Sequence, residues 1–243
     1  MNSGIYDIIC NRKIAAGVFL MEIAGDFSDM RPGQFVNIKI DGLYLRRPVS
    51  VHFADNKHLS IIYKVVGKGT AKLSETASGR LDLLTGLGNG YDLSAAGRTP
   101  LLVGGGVGVP PLYYLASRLI GSTDKITVIT GFNTADEVFS QDEFRALGVD
   151  LILTTADGSK GIKGFVTDAM RGLKYSYVYA CGPEPMLKAV YNVSETGGEF
   201  SFEERMGCGF GACMGCSCKT LYGYKRICRD GPVLKKEEII WEK

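Results

Sequence analysis

Histidine is scarce in this chain: its 243 residues include two, His52 and His58. Histidine-based acid–base catalysis and mixed Cys/His metal sites therefore have little to draw on. An excess of one charge is lacking as well. Lys and Arg number 28 against 26 Asp and Glu, a net charge of +2. That balance excludes a dedicated nucleic-acid binder and a polybasic membrane anchor. Residues 1–13 show no basic stretch followed by an apolar one, so no leader is expected and the expected compartment is the cytoplasm. Long apolar runs are missing too. The longest uncharged stretch, Thr99–Ser117, is broken by Pro100, Pro110, Pro111 and glycines at 104–106 and 108. Such punctuation predicts strand, loop and helix rather than a membrane span.

Glycine and cysteine, by contrast, are conspicuous. Glycine accounts for 32 residues, well above its usual share of about 7%, which points to tight turns and close backbone approaches. Five of seven cysteines fall between positions 208 and 228. Without a secretory leader a disulfide framework is a poor explanation, and a metal site is the better one. The ladder Cys208-x4-Cys213-x2-Cys216-x11-Cys228 has the plant-type spacing of a 2Fe–2S cluster. Three thiolates come from one tight loop and the fourth returns from a separate segment. Gly207, Gly209, Gly211 and Gly215 lie between the ligands, where backbone N–H groups must approach sulfur. Zinc is the competing reading, but it usually shows two C-x2-C knuckles, and only Cys213–Cys216 forms one. Inert buried thiols are the third reading. Cys218 has no role in the pattern.

Three modules follow from the changes in pattern along the chain. Residues 1–97 read as an antiparallel β-barrel or sandwich, with short alternating runs at 35–40, 48–53 and 59–66. A helix over Ala71–Ala77, capped by Thr70 and ended by Gly79, interrupts it. Residues 98–197 alternate strands (101–103, 126–130, 151–154, 177–180) with helices (112–120, 184–195), the pattern of a parallel α/β sheet. Residues 198–243 form the cysteine module.

Two glycine-marked loops follow strands of the sheet. Gly104-Gly105-Gly106-Val107-Gly108 precedes a helix and departs from the G-x-G-x-x-G fingerprint. It can meet a phosphate or simply pack a turn. Cys181-Gly182-Pro183 ends the last strand, and ligands of open parallel sheets bind outside such strand ends. Cys181 can be a small buried residue or a contact to nicotinamide. In the barrel, Arg47-Pro48-Val49-Ser50 places Pro48, Ser50 and His52 on one strand face. This is either a ligand-binding face, with Arg47 offering a fork for phosphate, or a solvated one. Gly69-Thr70 at a helix start adds a second potential phosphate contact. His52 reads as a half-exposed strand residue, and Lys235–Glu238 as a solvated face. After the second sheet strand, Asp136 and Glu137, with no arginine nearby, suit NAD better than NADP.

The order of these modules resembles the ferredoxin-reductase superfamily with an iron–sulfur extension. Phe202–Cys213, Cys216–Thr220 and Cys228–Val233 are similar to the electron-transfer subunits of NAD-dependent (type B) dihydroorotate dehydrogenase, and Leu87–Tyr91 resembles that family's barrel-closing motif. The resemblance implies an FAD site at Arg47, Pro48, Val49 and Ser50, completed by Ile62, Tyr63, Lys64, Gly69 and Thr70. It implies an NAD site at Gly104, Gly105, Gly106, Gly108, Cys181, Gly182 and Pro183. The 2Fe–2S ligands would be Cys208, Cys213, Cys216 and Cys228. The superfamily's usual tyrosine in R-x-Y-S is Val49 here. No catalytic side chain is implied, since hydride passes between nicotinamide and flavin without one. The implied partner is an FMN-containing catalytic subunit that oxidises dihydroorotate, in a heterotetramer of two chains each. The rivals are a reductase subunit of another complex, such as a hydrogenase or sulfur reductase, and a zinc-stapled nucleotide-binding regulator.

Overall fold

The computed structural model describes residues 1–241; the last two residues of the 198–243 module lie outside it. Six antiparallel strands close the N-terminal barrel: β1 (Asn2–Ala15), β2 (Val18–Ala24), β3 (Phe35–Ile38), β4 (Arg47–Ala54), β5 (His58–Lys64) and, after helix α1 (Lys68–Ser74), β6 (Arg80–Leu87). Their order around the barrel is β1-β2-β5-β4-β3-β6. In β6, Leu81, Leu83, Thr85 and Leu87 point inward and the residues between them outward, the period-two pattern that closes a small barrel. Met21, Ile23, Val36, Ile38, Val51, Ile61 and Leu83 fill the interior.

The chain continues through β7 (Leu101–Gly105), α2 (Pro110–Leu119), β8 (Thr127–Phe132), α3 (Gln141–Ala146), β9 (Asp150–Thr155), β10 (Ile162–Lys163), α4 (Val166–Met170), β11 (Val178–Cys181), α5 (Glu184–Val193) and β12 (Gly198–Ser201). A hairpin, β13 (Ser217–Thr220) with β14 (Gly223–Arg226), precedes β15 (Val233–Lys235). The seven-stranded sheet runs β10-β9-β8-β7-β11-β12-β15 and is parallel except where β15 pairs antiparallel with β12. β7 and β11 are buried at every position because helices cover both faces. One face packs Leu102 and Val128 under Leu112 and Leu115 of α2. The other gathers Val103, Ile129 and Phe200 with Ile227, Cys216 and Cys228, so the cysteine segment shares the sheet's core.

Several local expectations change in the folded chain. Helix α1 starts at Lys68, not Ala71, with Gly67 as its cap residue. Thr70 does not cap from outside but sits in the first turn, its hydroxyl accepting from the N–H of Val66 (2.9 Å) and Gly67 (3.2 Å). His52 is buried, at 4% exposure. Val51 faces the barrel interior, whereas His52 lies on the other side of β4, next to the bulge between Val51 and Phe53, where α2 and α3 cover it. His52 stacks on Tyr113 of α2 at 4.7 Å, bonds Ser60 Oγ through Nδ1 at 3.0 Å, and places Nε2 3.6 Å from Glu143 of α3. The run 235–238 is only partly solvated. Glu238 is buried and paired with Lys225, and Lys236 donates to the carbonyls of Ser194 and Thr196.

The barrel and sheet are stitched directly. Lys64 pairs with Glu137 at 2.7 Å, the Ala16 N–H donates to the Asp136 carbonyl at 3.0 Å, and the Tyr114 hydroxyl donates to the Met30 carbonyl at 2.8 Å. Where the chain passes from one to the other, the Asp92 N–H donates to buried Glu199 of β12 at 2.9 Å, and the Tyr179 hydroxyl to the Asp92 carbonyl at 2.7 Å.

Candidate cofactor sites

Residues 47–50 of β4 pair with β3, Arg47 opposite Ile38 and Ser50 opposite Phe35. The ladder from β4 to β5 begins only at Val51 opposite Ile61. Beyond that point Ile62, Tyr63 and Lys64 pair with β2 alone. The two strands therefore part at this end, and main-chain groups of 47–50 and 62–64 border the opening. Backbone groups left out of a ladder need partners, and an extended flavin nucleotide can supply them. Helix α1 lies at the same end. The Arg47 guanidinium rests on Gly69 so closely that a Cβ there would overlap its Nε, and its Nη1 donates to the Leu45 carbonyl at 2.5 Å. The fold thus brings Arg47 onto Gly69, with Thr70 next along α1 and Ser50 three residues further along β4. The side chains of Ile62 and Tyr63 point into the core. Tyr63 donates to Asn11 Oδ1 at 3.0 Å, and burial pushes its phenol up to about 12, so it stays neutral. These two residues can offer a ligand only their backbone. Lys64 is committed to Glu137.

The glycine loop after β7 and the loop after β11 are adjacent at the carboxyl edge of the sheet, where Cys181 pairs with Gly104. They interlock. A Cβ on Gly108 would overlap the Cys181 carbonyl, and one on Gly105 would meet Met186 Sδ at 2.5 Å. Packing thus accounts for these glycines in part, while Gly106, with a φ of 53°, faces open space. Cys181 is buried at the strand end, and its thiol is pushed up to about 12 by burial, so it is no nucleophile. The Tyr91 hydroxyl donates to the Ala180 carbonyl beside it at 3.3 Å. Of the two carboxylates after β8, Glu137 is held by Lys64 and by Asn133 Nδ2 (3.0 Å), whereas Asp136 is exposed.

The four ladder cysteines lie two and two. Cys208 Sγ accepts from the N–H groups of Ala212 (3.3 Å) and Cys213 (3.4 Å), and Cys216 Sγ from the Cys228 N–H (3.4 Å). Burial raises the Cys208 thiol, but hydrogen bonds from Cys213, Phe210 and Ala212 outweigh it and bring it down to about 6. Cys228 is pushed up to about 12 by burial and by Cys216 beside it. A buried pair of thiols becomes a pair of thiolates only against a compensating cation. Among the described residues no three Cys, His, Asp or Glu side chains converge as around a single ion. Two sulfur pairs fit two irons better than one zinc. Cys216 and Cys228 are buried, and Cys213 is exposed. Cys218 sits on β13 opposite Lys225.

Two supporting residues have no role in the sequence reading, although Asn89 lies in the Leu87–Tyr91 motif it singles out. Arg226 donates to the Gly211 carbonyl inside the cysteine loop at 2.9 Å and is itself held by Asp230 at 2.9 Å. Asn89, in the segment after β6, donates to the Val233 carbonyl at 2.7 Å and accepts from the Val233 N–H at 3.1 Å. Arg226 works within the cysteine module and Asn89 acts 144 residues away in the chain, and neither partner is marked by a local spacing.

A closed six-stranded barrel, a parallel sheet and a four-cysteine loop together define a reductase of the ferredoxin-reductase fold with an iron–sulfur extension. Residues 203–240 match the model of the iron–sulfur cluster binding domain of dihydroorotate dehydrogenase B, and residues 102–192 that of the oxidoreductase NAD-binding domain. The chain is 44% identical to the dihydroorotate dehydrogenase B (NAD(+)) electron transfer subunit of Fusobacterium nucleatum subsp. nucleatum, over 94% of this chain and 95% of that protein. It is 41% identical to the protein of the same name from Bacillus pumilus, over 98% of each. The chain belongs to the family of electron-transfer subunits of dihydroorotate dehydrogenase B. Among solved structures, a chain of NADH-dependent reduced ferredoxin–NADP oxidoreductase superposes with a TM-score of 0.89 at 33% identity, covering 98% of this chain and 90% of that one. The ferredoxin NADP+ reductase of Neisseria gonorrhoeae, solved with bound FAD and NADP, gives 0.70 at 16% identity, covering 79% and 90%, a likeness of fold.

Proposed function

We propose that this chain is the subunit through which a dihydroorotate-oxidising enzyme of pyrimidine biosynthesis passes its electrons to NAD+. When bound, a 2Fe–2S cluster, FAD and NAD supply the hydride and single-electron chemistry that links the FMN of a catalytic partner subunit to NAD+. The chain's own residues bind and place these groups. The region 1–97 would hold FAD through Arg47, the main chain of Pro48–Ser50 and of Ile62–Lys64, and Gly69-Thr70. The region 98–197 would receive NAD on Gly104–Gly108 and Cys181–Pro183, with Asp136 free to bond a ribose hydroxyl. The region 198–243 would ligate the cluster through Cys208, Cys213, Cys216 and Cys228. The Lys64–Glu137 pair ties the barrel to the sheet and would help hold a bound flavin and nicotinamide in register.

The observation that carries this reading is the pairing of four sulfurs, three from one loop and Cys228 from the segment after the hairpin, in a module packed against the flavin-side barrel. Exposed apolar side chains on that loop and its hairpin, Phe210, Met214, Leu221, Tyr222 and Tyr224, support docking of the FMN-containing subunit there, in a heterotetramer of two chains each. Among the described residues no helix is long and apolar enough to cross a membrane. A cluster-ligating loop of reduced thiols supports a cytoplasmic site.

Purified chain added to a dihydroorotate-oxidising FMN subunit should restore NAD-linked orotate formation. No restoration would reject the assignment. The likeness to the NADH-dependent reduced ferredoxin–NADP oxidoreductase chain favours, as the second reading, a reductase subunit of another complex. Activity with such a partner in place of the FMN subunit would select it. A colourless, zinc-loaded protein would reject both.

A further inference from the structure

The two buried ladder cysteines, Cys216 and Cys228, are fixed by the same apolar core that contains Phe35 of β3 and Leu87 of β6. The Cys208 side of the loop is partly exposed, and although Met206 before it packs on the core, Cys208 itself belongs to no apolar cluster among the described residues. One side chain of the barrel reaches it. Asn37, at 1% exposure in the middle of β3, donates its Nδ2–H to the Cys208 carbonyl at 3.2 Å. Gly209 closes over this amide, and a Cβ there would overlap Nδ2.

The backbone of Asn37 connects to the other cofactor. In the β3–β4 ladder Asn37 lies directly opposite Pro48, within the Arg47–Ser50 segment of the flavin opening. Its carbonyl accepts from Arg46 Nη1 at 3.3 Å, and Arg46 also bonds the Asp82 carbonyl (3.1 Å) and carboxylate (2.8 Å) of β6. The strand that carries Asn37 is therefore clamped on both sides. A path of one ladder position and one side-chain hydrogen bond joins the flavin strand to a cluster ligand.

The residue type is costly there. Asn37 Oδ1 is buried with no hydrogen-bond partner among the described residues. An apolar side chain of the same size would fill the space without burying an unpaired acceptor. Docking of the whole module does not require the amide either, since Asn89 and the shared core already supply it. What Asn37 adds is control of the Cys208 edge.

We propose that Asn37 is a positioning residue that fixes the Cys208 edge of the cluster against the flavin strand and thereby sets the rate of single-electron exchange between flavin and cluster. The proposal rests on the cofactor reading above. Outer groups that orient a metal ligand tune both the metal and its reactivity.

The test uses the full chain loaded with FAD and iron–sulfur, as parent, Asn37→Leu and Asn37→Ser. Leu keeps the volume and removes the unpaired acceptor; Ser covers the case in which Leu fails to fold. Under anaerobic stopped flow with NADH, flavin bleaching should proceed within about twofold of the parent in the variants. The following bleaching of the cluster should slow by at least about tenfold. An EPR-monitored redox titration should show a shifted midpoint or altered line shape with iron content intact, which a purely structural role would not produce. Unchanged cluster bleaching and EPR in both variants would overturn the proposal. So would loss of FAD from both, which would place Asn37 in flavin binding instead. A parent chain that takes up neither flavin nor iron would overturn the cofactor reading itself, a failure seen before any variant is made.

Discussion

Glu199 offers a prediction that can be worked through to a number. Its carboxyl is 3% exposed on β12. It accepts one hydrogen bond, from the Asp92 N–H. Burial lifts it from the ordinary 4.5 to about 7. Asp92 and Glu237 add repulsion, while the Asp92 N–H and Lys235 offset part of it. The phenols of Tyr177 and Tyr179 also face it. A carboxyl whose folded pKa is raised penalises the fold once it ionises. The penalty is absent below about 4.5, grows as pH rises from about 4.5 to about 7, and is full above that. The gap of about 2.5 between those two values, at about 1.36 kcal/mol each, amounts to about 3 kcal/mol. Glu199→Gln keeps an acceptor for Asp92 and removes the charge. It should therefore match the parent at pH 4.5 and exceed it by about 3 kcal/mol at pH 8. For a chain of this size that is about 6–12 °C in Tm. Thermal melts of the loaded protein at half-unit steps from pH 4.5 to 8.5 would read it. An offset independent of pH, or a variant less stable than the parent at pH 8, would refute the reasoning.

Other substitutions test the sites. Cys213→Ser should lose the cluster while NADH still reduces bound flavin, measured by iron assay and stopped flow; flavin left oxidised, with FAD still bound, would contradict the cofactor order. Cys218→Ala should leave iron and sulfide contents unchanged. Gly108→Ala drives a Cβ into the Cys181 carbonyl and should cost about 1–3 kcal/mol of overpacking. Because it spreads the two loops, KM for NADH should rise by more than about tenfold in steady-state assays. Arg226→Leu removes the bond to the Gly211 carbonyl and should speed loss of iron to a chelator, with the far-UV circular dichroism of the barrel and sheet unchanged.

The parts of this molecule that were legible in the sequence are those encoded locally. The cysteine ladder points to the iron–sulfur domain that residues 203–240 match because three of its cysteines share one loop with a telling spacing. The strand Leu101–Gly105 and the prolines at the head of α2 mark the sheet in the same way. Burial set by long-range packing could not be read. His52 is buried because α2 and α3 pack over its face of β4, a long-range contact that strand alternation does not reveal. Glu137 reads in the sequence, with Asp136, as a carboxylate suiting NAD over NADP, and the fold instead brings Lys64, 73 residues away, onto it. Asn89 is 144 residues from Val233, which it grips from both sides, and a polar residue in a glycine-rich turn gives no sign of such a partner. Thr70 misled in the opposite way, since a good capping residue lay inside the first turn.

The antiparallel pairing of β15 with β12 reaches beyond cluster support. β12 would otherwise be the outermost strand of the sheet, with four buried residues and a bare hydrogen-bonding rim. Such a rim recruits strands from other molecules. A chain shortened before Val233 should therefore form higher oligomers, visible by light scattering. The tail that holds the metal also acts as the sheet's safeguard against self-association.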